Sequence, residues 1–217
     1  MTEEFLQKFT RDVARRMEVH GRMWYEEVVR ELGEAKARVL RDKVTVQVAE
    51  NMAQRRGNKP ELSLDDLSKC WLAQDGFWFQ AVEFSEDMAT AKKCNDNTWR
   101  KFSPFEAECI KKLLDMGDAE GLKGLQRALD YRIYARLNKQ SSGFEGEALV
   151  FKMNDCRVQS ARVRKGLPDY PCKSAGLVEY SCFAKGVDGR IAMECLGCPP
   201  DPHPEDWFCA WKFCMEE

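Results

Sequence analysis

Histidine is scarce in this 217-residue chain, with only His20 and His203 present. Its side chain has an ordinary pKa near neutrality, so the natural base for a nucleophile in this chain is His203 or a carboxylate. A di-iron carboxylate centre, built from Glu-x-x-His pairs on facing helices, has no histidine placed to form it. Long hydrophobic runs are missing as well. No window approaches the roughly 18 consecutive apolar residues that a spanning helix needs, and the start, Met1-Thr2-Glu3-Glu4, is acidic where a secretory signal would be cationic. Together these absences predict a cytoplasmic protein with no membrane partner. Neither sign of charge predominates: 34 Lys and Arg face 36 Asp and Glu, for a formal charge of −2. No global field holds a polyanion, and a nucleic-acid partner is not expected. No internal repeat or low-complexity tract is present.

What is there belongs to an ordinary globular protein. Hydrophobic residues are 44% and charged residues 32% of the chain, a balance that excludes intrinsic disorder. The length suits one large domain or two small ones. Phe5, Phe9, Val13 and Met17 fall four apart, and Trp24, Val28 and Leu32 repeat that spacing, so the first fifty residues read as helix interrupted near Gly21 and Gly33. Ser63, three residues before Asp66, opens a helix predicted from Leu64 to Gln74, and an aromatic-rich helix is expected after it. Ser103-Pro104-Phe105-Glu106 has the residues of a helix start. Leu122, Leu125, Leu129, Ile133 and Leu137 mark another apolar stripe, and residues 138–143 read as a polar linker.

After Gly146 the pattern changes to short strands. A hairpin turning at Asn154-Asp155, a loop over 167–171, a helix from Cys172 and two further strands (190–194 and 206–213) give the order ββαββ. The predicted fold is α+β: a helical part, 1–143, packed on a small antiparallel sheet in a cysteine-rich part, 144–217.

Seven of the ten cysteines follow residue 155. In a reducing compartment, clustered thiols read as metal ligands, reactive groups or small core residues before they read as disulfides. Cys195-Leu196-Gly197-Cys198 has the spacing with which a tight turn wraps an ion, and Gly197 would permit a positive φ there. In the last strand Cys209 shares a face with Trp207, Trp211 and Phe213 by period-two alternation. Cys156 and Cys172 each open an element. The candidate metal ligands are therefore Cys156, Cys172, Cys195, Cys198 and Cys209, five thiols for four places. Zinc is the expected cofactor, and an iron–sulfur cluster is the alternative suggested by Cys198-Pro199. His203 is a weaker ligand, restrained by Pro202 and Pro204.

Other readings compete. Cys70, Cys94, Cys109 and Cys214 suit core packing. Arg157, Arg162, Arg164, Lys165 and Lys173 flank Cys156 and Cys172, and such cations favour the thiolate, so either cysteine could be a nucleophile; the same residues also read as a solvated strand edge. Glu83, Glu86 and Asp87 read as a solvated acidic helix face. Trp78, Phe79, Phe84 and Trp99 read as core, or as the wall of a pocket for a small-molecule ligand.

The segments Asp155-Cys156-Arg157-Val158-Gln159, Pro171-Cys172-Lys173, Cys195-Leu196-Gly197-Cys198-Pro199-Pro200-Asp201 and Trp207-Phe208-Cys209-Ala210-Trp211, with Gly76-Phe77-Trp78-Phe79, resemble an uncharacterised prokaryotic family of small cytosolic cysteine-containing proteins. A helical part before a cysteine-bearing sheet is more distantly similar to the L-2-amino-thiazoline-4-carboxylic acid hydrolase family. That resemblance implies cleavage of a carbon–nitrogen bond in a small substrate, and no active-site residue of those enzymes maps onto this chain. Three functions follow: a zinc-binding protein with a thiolate site in the C-terminal part, a thiol-dependent hydrolase, or a ligand-binding or interaction protein whose cysteines only pack.

Overall fold

The computed structural model describes residues 1–164, 166 and 169–216. Lys165, in the basic segment, and Leu167 and Pro168, at the start of the predicted loop, lie outside the described residues. The chain divides into two units, Met1–Phe102 and Ser103–Glu217, and the fold class is α+β.

The first unit is built from long helices. Helix α1 (Glu3–Leu32) opens with Thr2, whose hydroxyl accepts from the Phe5 amide at 3.2 Å. It passes through Gly21 and stops at Gly33, whose φ of 80° most side chains would resist. Helix α2 (Glu34–Arg56) follows, then α3 (Leu64–Ser85), capped by Ser63 with the Asp66 amide donating at 3.1 Å. Trp24 and Val28 of α1, Leu40 and Val44 of α2, and Trp78 and Val82 of α3 are buried in one core. The four-residue spacing read from the sequence thus corresponds to the inward stripe of α1.

Two helix boundaries correct the expectations. Helix α3 runs without a break past Gln74. Helix α4 (Met88–Leu114) carries Pro104 in its interior, so Ser103-Pro104 does not begin a helix. Proline there removes one helical hydrogen bond, but Phe102, Ala107 and Ile110 on the flanking turns are fully buried, and that packing outweighs the loss. Ser103 keeps its hydroxyl buried with no partner among the described residues, and Glu106 accepts from Arg132 Nε at 2.8 Å instead of reaching back to a cap.

The second unit continues with α5 (Gly121–Leu129), a 3₁₀ turn (Ile133–Arg136), strands β1 (Lys139–Glu145) and β2 (Ala148–Asp155), helices α6 (Arg157–Val163) and α7 (Lys173–Val187), and strands β3 (Ile191–Gly197) and β4 (Cys209–Met215). The observed order is ββααββ. Residues 139–143 are strand, not linker, and the hairpin turns at Gly146, φ 62°, not at Asn154-Asp155. Cys156 ends the strand and caps a helix where an alternating strand was expected. The antiparallel sheet has the order β1-β2-β4-β3. Under it lies Arg132, 2% exposed, bonded to Glu106 and at 2.8 Å from Glu179, with its guanidinium over the Phe183 ring.

Candidate thiol site

Sheet register decides which thiols can meet. Phe151 and Cys195 both pair with Trp211, Met153 pairs with Cys209, and Leu149 and Met193 pair with Phe213. Directly paired residues share a face and alternate residues return to it, so Cys195, Cys209, Trp211 and Phe213 look to the same side. Tyr180 of α7 stacks on Trp211 on that side, with ring centroids 4.9 Å apart. The alternation predicted for the last strand holds from Cys209 onward; Trp207 precedes it.

Helix α7 delivers Cys172 as its N-cap residue, and Cys198 follows the end of β3. Their sulfurs lie 3.6 Å apart. Glycine at 176 makes room for the Trp211 ring beside this pair: a Cβ there would stand 2.6 Å from the ring, and at an ordinary 3.8 Å from the Cys198 sulfur. Gly197 serves a related purpose. Its φ is not positive, contrary to expectation; a Cβ would instead strike the Trp207 ring at 2.9 Å. The Lys173 amide donates to the Pro199 carbonyl at 2.9 Å, and its ammonium reaches Asp201 at 2.6 Å.

The remaining thiols surround this pair unequally. Cys209 lies close enough to Cys198 for a sulfur–sulfur hydrogen bond that, with the one from Cys172, raises the Cys198 pKa far above the ordinary thiol value. Cys172 moves the other way: the Cys198 thiol donates to it and outweighs burial, so its pKa is lowered. Cys156 feels both Cys209 and Cys172, but burial pushes it up to about 12 against the favourable amides of Gln159 and Val158. Cys195 feels Cys209 and is raised by burial, with the Lys173 ammonium opposing. Among the described residues, no three Cys, His, Asp or Glu side chains are grouped so as to hold an ion as they stand. What is assembled is a close thiol pair, a third thiol beside Cys198 and two more on its border.

Gln159, which the sequence reading passed over, is part of the site. It is 1% exposed, donates to the Tyr170 carbonyl at 2.8 Å and to the Cys172 sulfur at 3.4 Å, and accepts from the Tyr170 amide at 2.8 Å. Its place three residues after Cys156 signals this only once α6 is known to be a helix.

His203 has both ring nitrogens engaged by other partners. Its Nδ1 faces the Pro204 carbonyl at 2.8 Å and its Nε2 faces Asp169 at 2.9 Å. Both partners are acceptors, an arrangement that favours a proton on each ring nitrogen. Burial opposes that charge, but the Pro204 carbonyl and Asp169 prevail and the pKa is raised.

The other candidates resolve as structure. Cys70, Cys94 and Cys109 are buried, whereas Cys214 is half-buried on the sheet face opposite Trp211. Glu86 pairs with Lys36 at 2.7 Å and Asp87 caps the Thr90 amide. Trp78 and Trp99 are core, while Phe84, 82% exposed, lines a groove of about 550 Å³ with Leu40, Val46, Phe77 and Ala81.

These features define an α+β protein with a thiol-lined face on a C-terminal four-stranded sheet. No helix among the described residues is long and apolar enough to cross a membrane. A family model described as "Family of unknown function (DUF6125)" matches residues 56–215, and the chain belongs to that family. No curated protein and no solved structure matches the chain.

Proposed function

We propose that the protein binds one zinc ion through Cys156, Cys172, Cys198 and Cys209, and that the ion is structural. The observation that carries this reading is the 3.6 Å separation of the Cys172 and Cys198 sulfurs. With zinc–sulfur bonds of about 2.3 Å, two thiolates at tetrahedral positions stand about 3.8 Å apart, so the pair already spans one edge of the ligand tetrahedron. Cys209 is the third ligand because it reaches Cys198, and Cys156 is the fourth because it is coupled to two of the other three. Cys195, on β3 opposite Trp211, is left outside this set. The Gln159 amide bonded to Cys172 is the kind of outer donor that orients a thiolate ligand.

Four protein thiolates leave no open position for substrate or water, which makes the ion a structural clamp on the starts of α6, α7 and β4 and the end of β3. A four-iron cluster binds each thiolate to a separate iron and needs the sulfurs farther apart, so the short pair argues against that cluster. The test is elemental analysis and a visible spectrum of protein purified without a metal-affinity tag. One zinc per colourless chain is the expected result. A brown chromophore would replace zinc with a cluster, and folded protein without metal would refute both.

One observation favours a second reading, a thiol-dependent hydrolase of a small carbon–nitrogen substrate: the lowered pKa of Cys172. Its weakness is the base, since both His203 nitrogens are engaged and the nucleophile has no neutral imidazole beside it. Metal-free protein turning over such a substrate, with the activity lost in Cys172→Ser, would favour it over zinc.

A further inference from the structure

We propose that Cys172 and Cys198 form a redox-active pair, which a hydroperoxide converts to a disulfide, and that this oxidation releases the ion. The release rests on the zinc reading above; the pairing does not. A disulfide needs its sulfurs about 2.05 Å apart, and these two start at 3.6 Å. Side-chain rotation can close that gap provided the backbones stay together, and three contacts keep them so. The Lys173 amide donates to the Pro199 carbonyl at 2.9 Å, the Lys173 ammonium meets Asp201 at 2.6 Å, and the Asp201 amide donates back to the Cys198 carbonyl at 3.0 Å. Two of these tie the residue after Cys172 to the turn that follows Cys198, the third closes that turn, and none of them involves a sulfur or a metal.

Exposure assigns the roles. Cys198 is 1% exposed, whereas Cys172 is half-buried and the one an oxidant meets first. The Cys172 thiolate attacks the outer peroxide oxygen, the O–O bond breaks, and the alkoxide leaves and takes a proton. The Cys198 sulfur then attacks the Cys172 sulfenic sulfur, its proton passes to the departing hydroxide, and water leaves. In sum, one thiolate, one thiol, one hydroperoxide and one proton give a disulfide, an alcohol and water; two electrons pass from sulfur to oxygen. A disulfide sulfur is a poor ligand, so the ion loses two of four donors in one event.

The test uses the full wild-type chain, purified without a metal-affinity tag, and hydrogen peroxide without reductant. A chromogenic chelator follows zinc, and non-reducing peptide mapping by mass spectrometry locates the cross-link. The expected result is a Cys172–Cys198 cross-link formed in step with release of about one zinc per chain, both reversed by dithiothreitol with added zinc. A cross-link between any other two cysteines, or zinc loss without a cross-link, overturns the proposal. Zinc in the untreated protein tests the metal reading separately: if it is absent, that reading fails, and the map alone decides the pairing. Cys195→Ser should leave the cross-link and the release unchanged; loss of the cross-link in that variant would make Cys195 the partner and refute the assignment.

Discussion

Two glycine-to-alanine substitutions should move stability in opposite directions. In Gly176→Ala the new methyl would stand 2.6 and 2.8 Å from two carbons of the Trp211 ring. That ring is fully buried, stacked on Tyr180, and sits on β4, which is paired on both sides by β2 and β3, so it cannot swing away. Overpacking of this kind costs about 1–3 kcal/mol, and contacts under 3 Å with a ring that cannot move put this case in the upper half, about 2–3 kcal/mol; alanine recovers about 1 kcal/mol through its better helix propensity. The net loss is about 1–2 kcal/mol, or about 2–8 °C in Tm for a chain of this length. Gly76→Ala, inside α3, meets nothing within 4 Å. Only the propensity gain remains there, and Tm should rise by about 2–4 °C. Thermal melts followed by circular dichroism compare the two. A Gly176→Ala protein as stable as wild type, beside a stabilised Gly76→Ala, would refute the claim that residue 176 is glycine to admit the Trp211 ring.

Replacing Arg132 by Met strands Glu106 and Glu179 in the interior without their cation and should cost about 3–5 kcal/mol, read by urea unfolding. Burial raises the Asp75 pKa to about 6 against the Trp24 indole N–H. A raised carboxyl pKa favours folding below the unfolded value of about 3.8 and loses that contribution as pH climbs through 6. Asp75→Asn should therefore stabilise the protein at pH 7, by at most about 3 kcal/mol, with the gain vanishing by pH 4 in a urea series. His20 has the opposite sign: burial lowers it to about 3, so its contribution is lost as pH falls from 6.5 towards 3 and should dominate the acid limb of the Asp75→Asn protein. After chelation, iodoacetamide at pH 7.5 should label Cys172 ahead of Cys94 and Cys156, which burial pushes to about 11 and about 12; mass spectrometry orders the sites. Cys209→Ser should lower the zinc content measured by elemental analysis, and Cys195→Ser should not.

The parts legible in the sequence are those where a local rule and tertiary packing agree. The four-residue spacing from Phe5 to Leu32, the Ser63 cap and the period-two face of Cys209, Trp211 and Phe213 each serve the burial that the finished structure requires. The failures arise where a distant partner overrides a local signal. Ser103-Pro104-Phe105-Glu106 has the residues of a helix start, but Glu106 is claimed by Arg132, 26 residues on, and the helix runs through. Strand β1 is exposed along most of its length, so Lys139–Glu145 has no inward apolar series to betray it. The site was half legible. Five thiols stand out in the sequence, Cys195 and Cys198 by their spacing, Cys209 by its period-two face and Cys156 and Cys172 as openers of elements, but that Cys172 lies 3.6 Å from Cys198 depends on how α7 meets the end of β3, which leaves no pattern in the chain.

Strand β4 carries Cys209 and is the only element that bonds to both β2 and β3. While the chain is being made, Cys156, Cys172 and Cys198 leave the ribosome as scattered thiols, and they keep that vulnerability until β4 emerges and slots between its neighbours. Indiscriminate oxidation should therefore concentrate in chains cut short before β4, whereas in the folded protein an oxidant should meet Cys172 first.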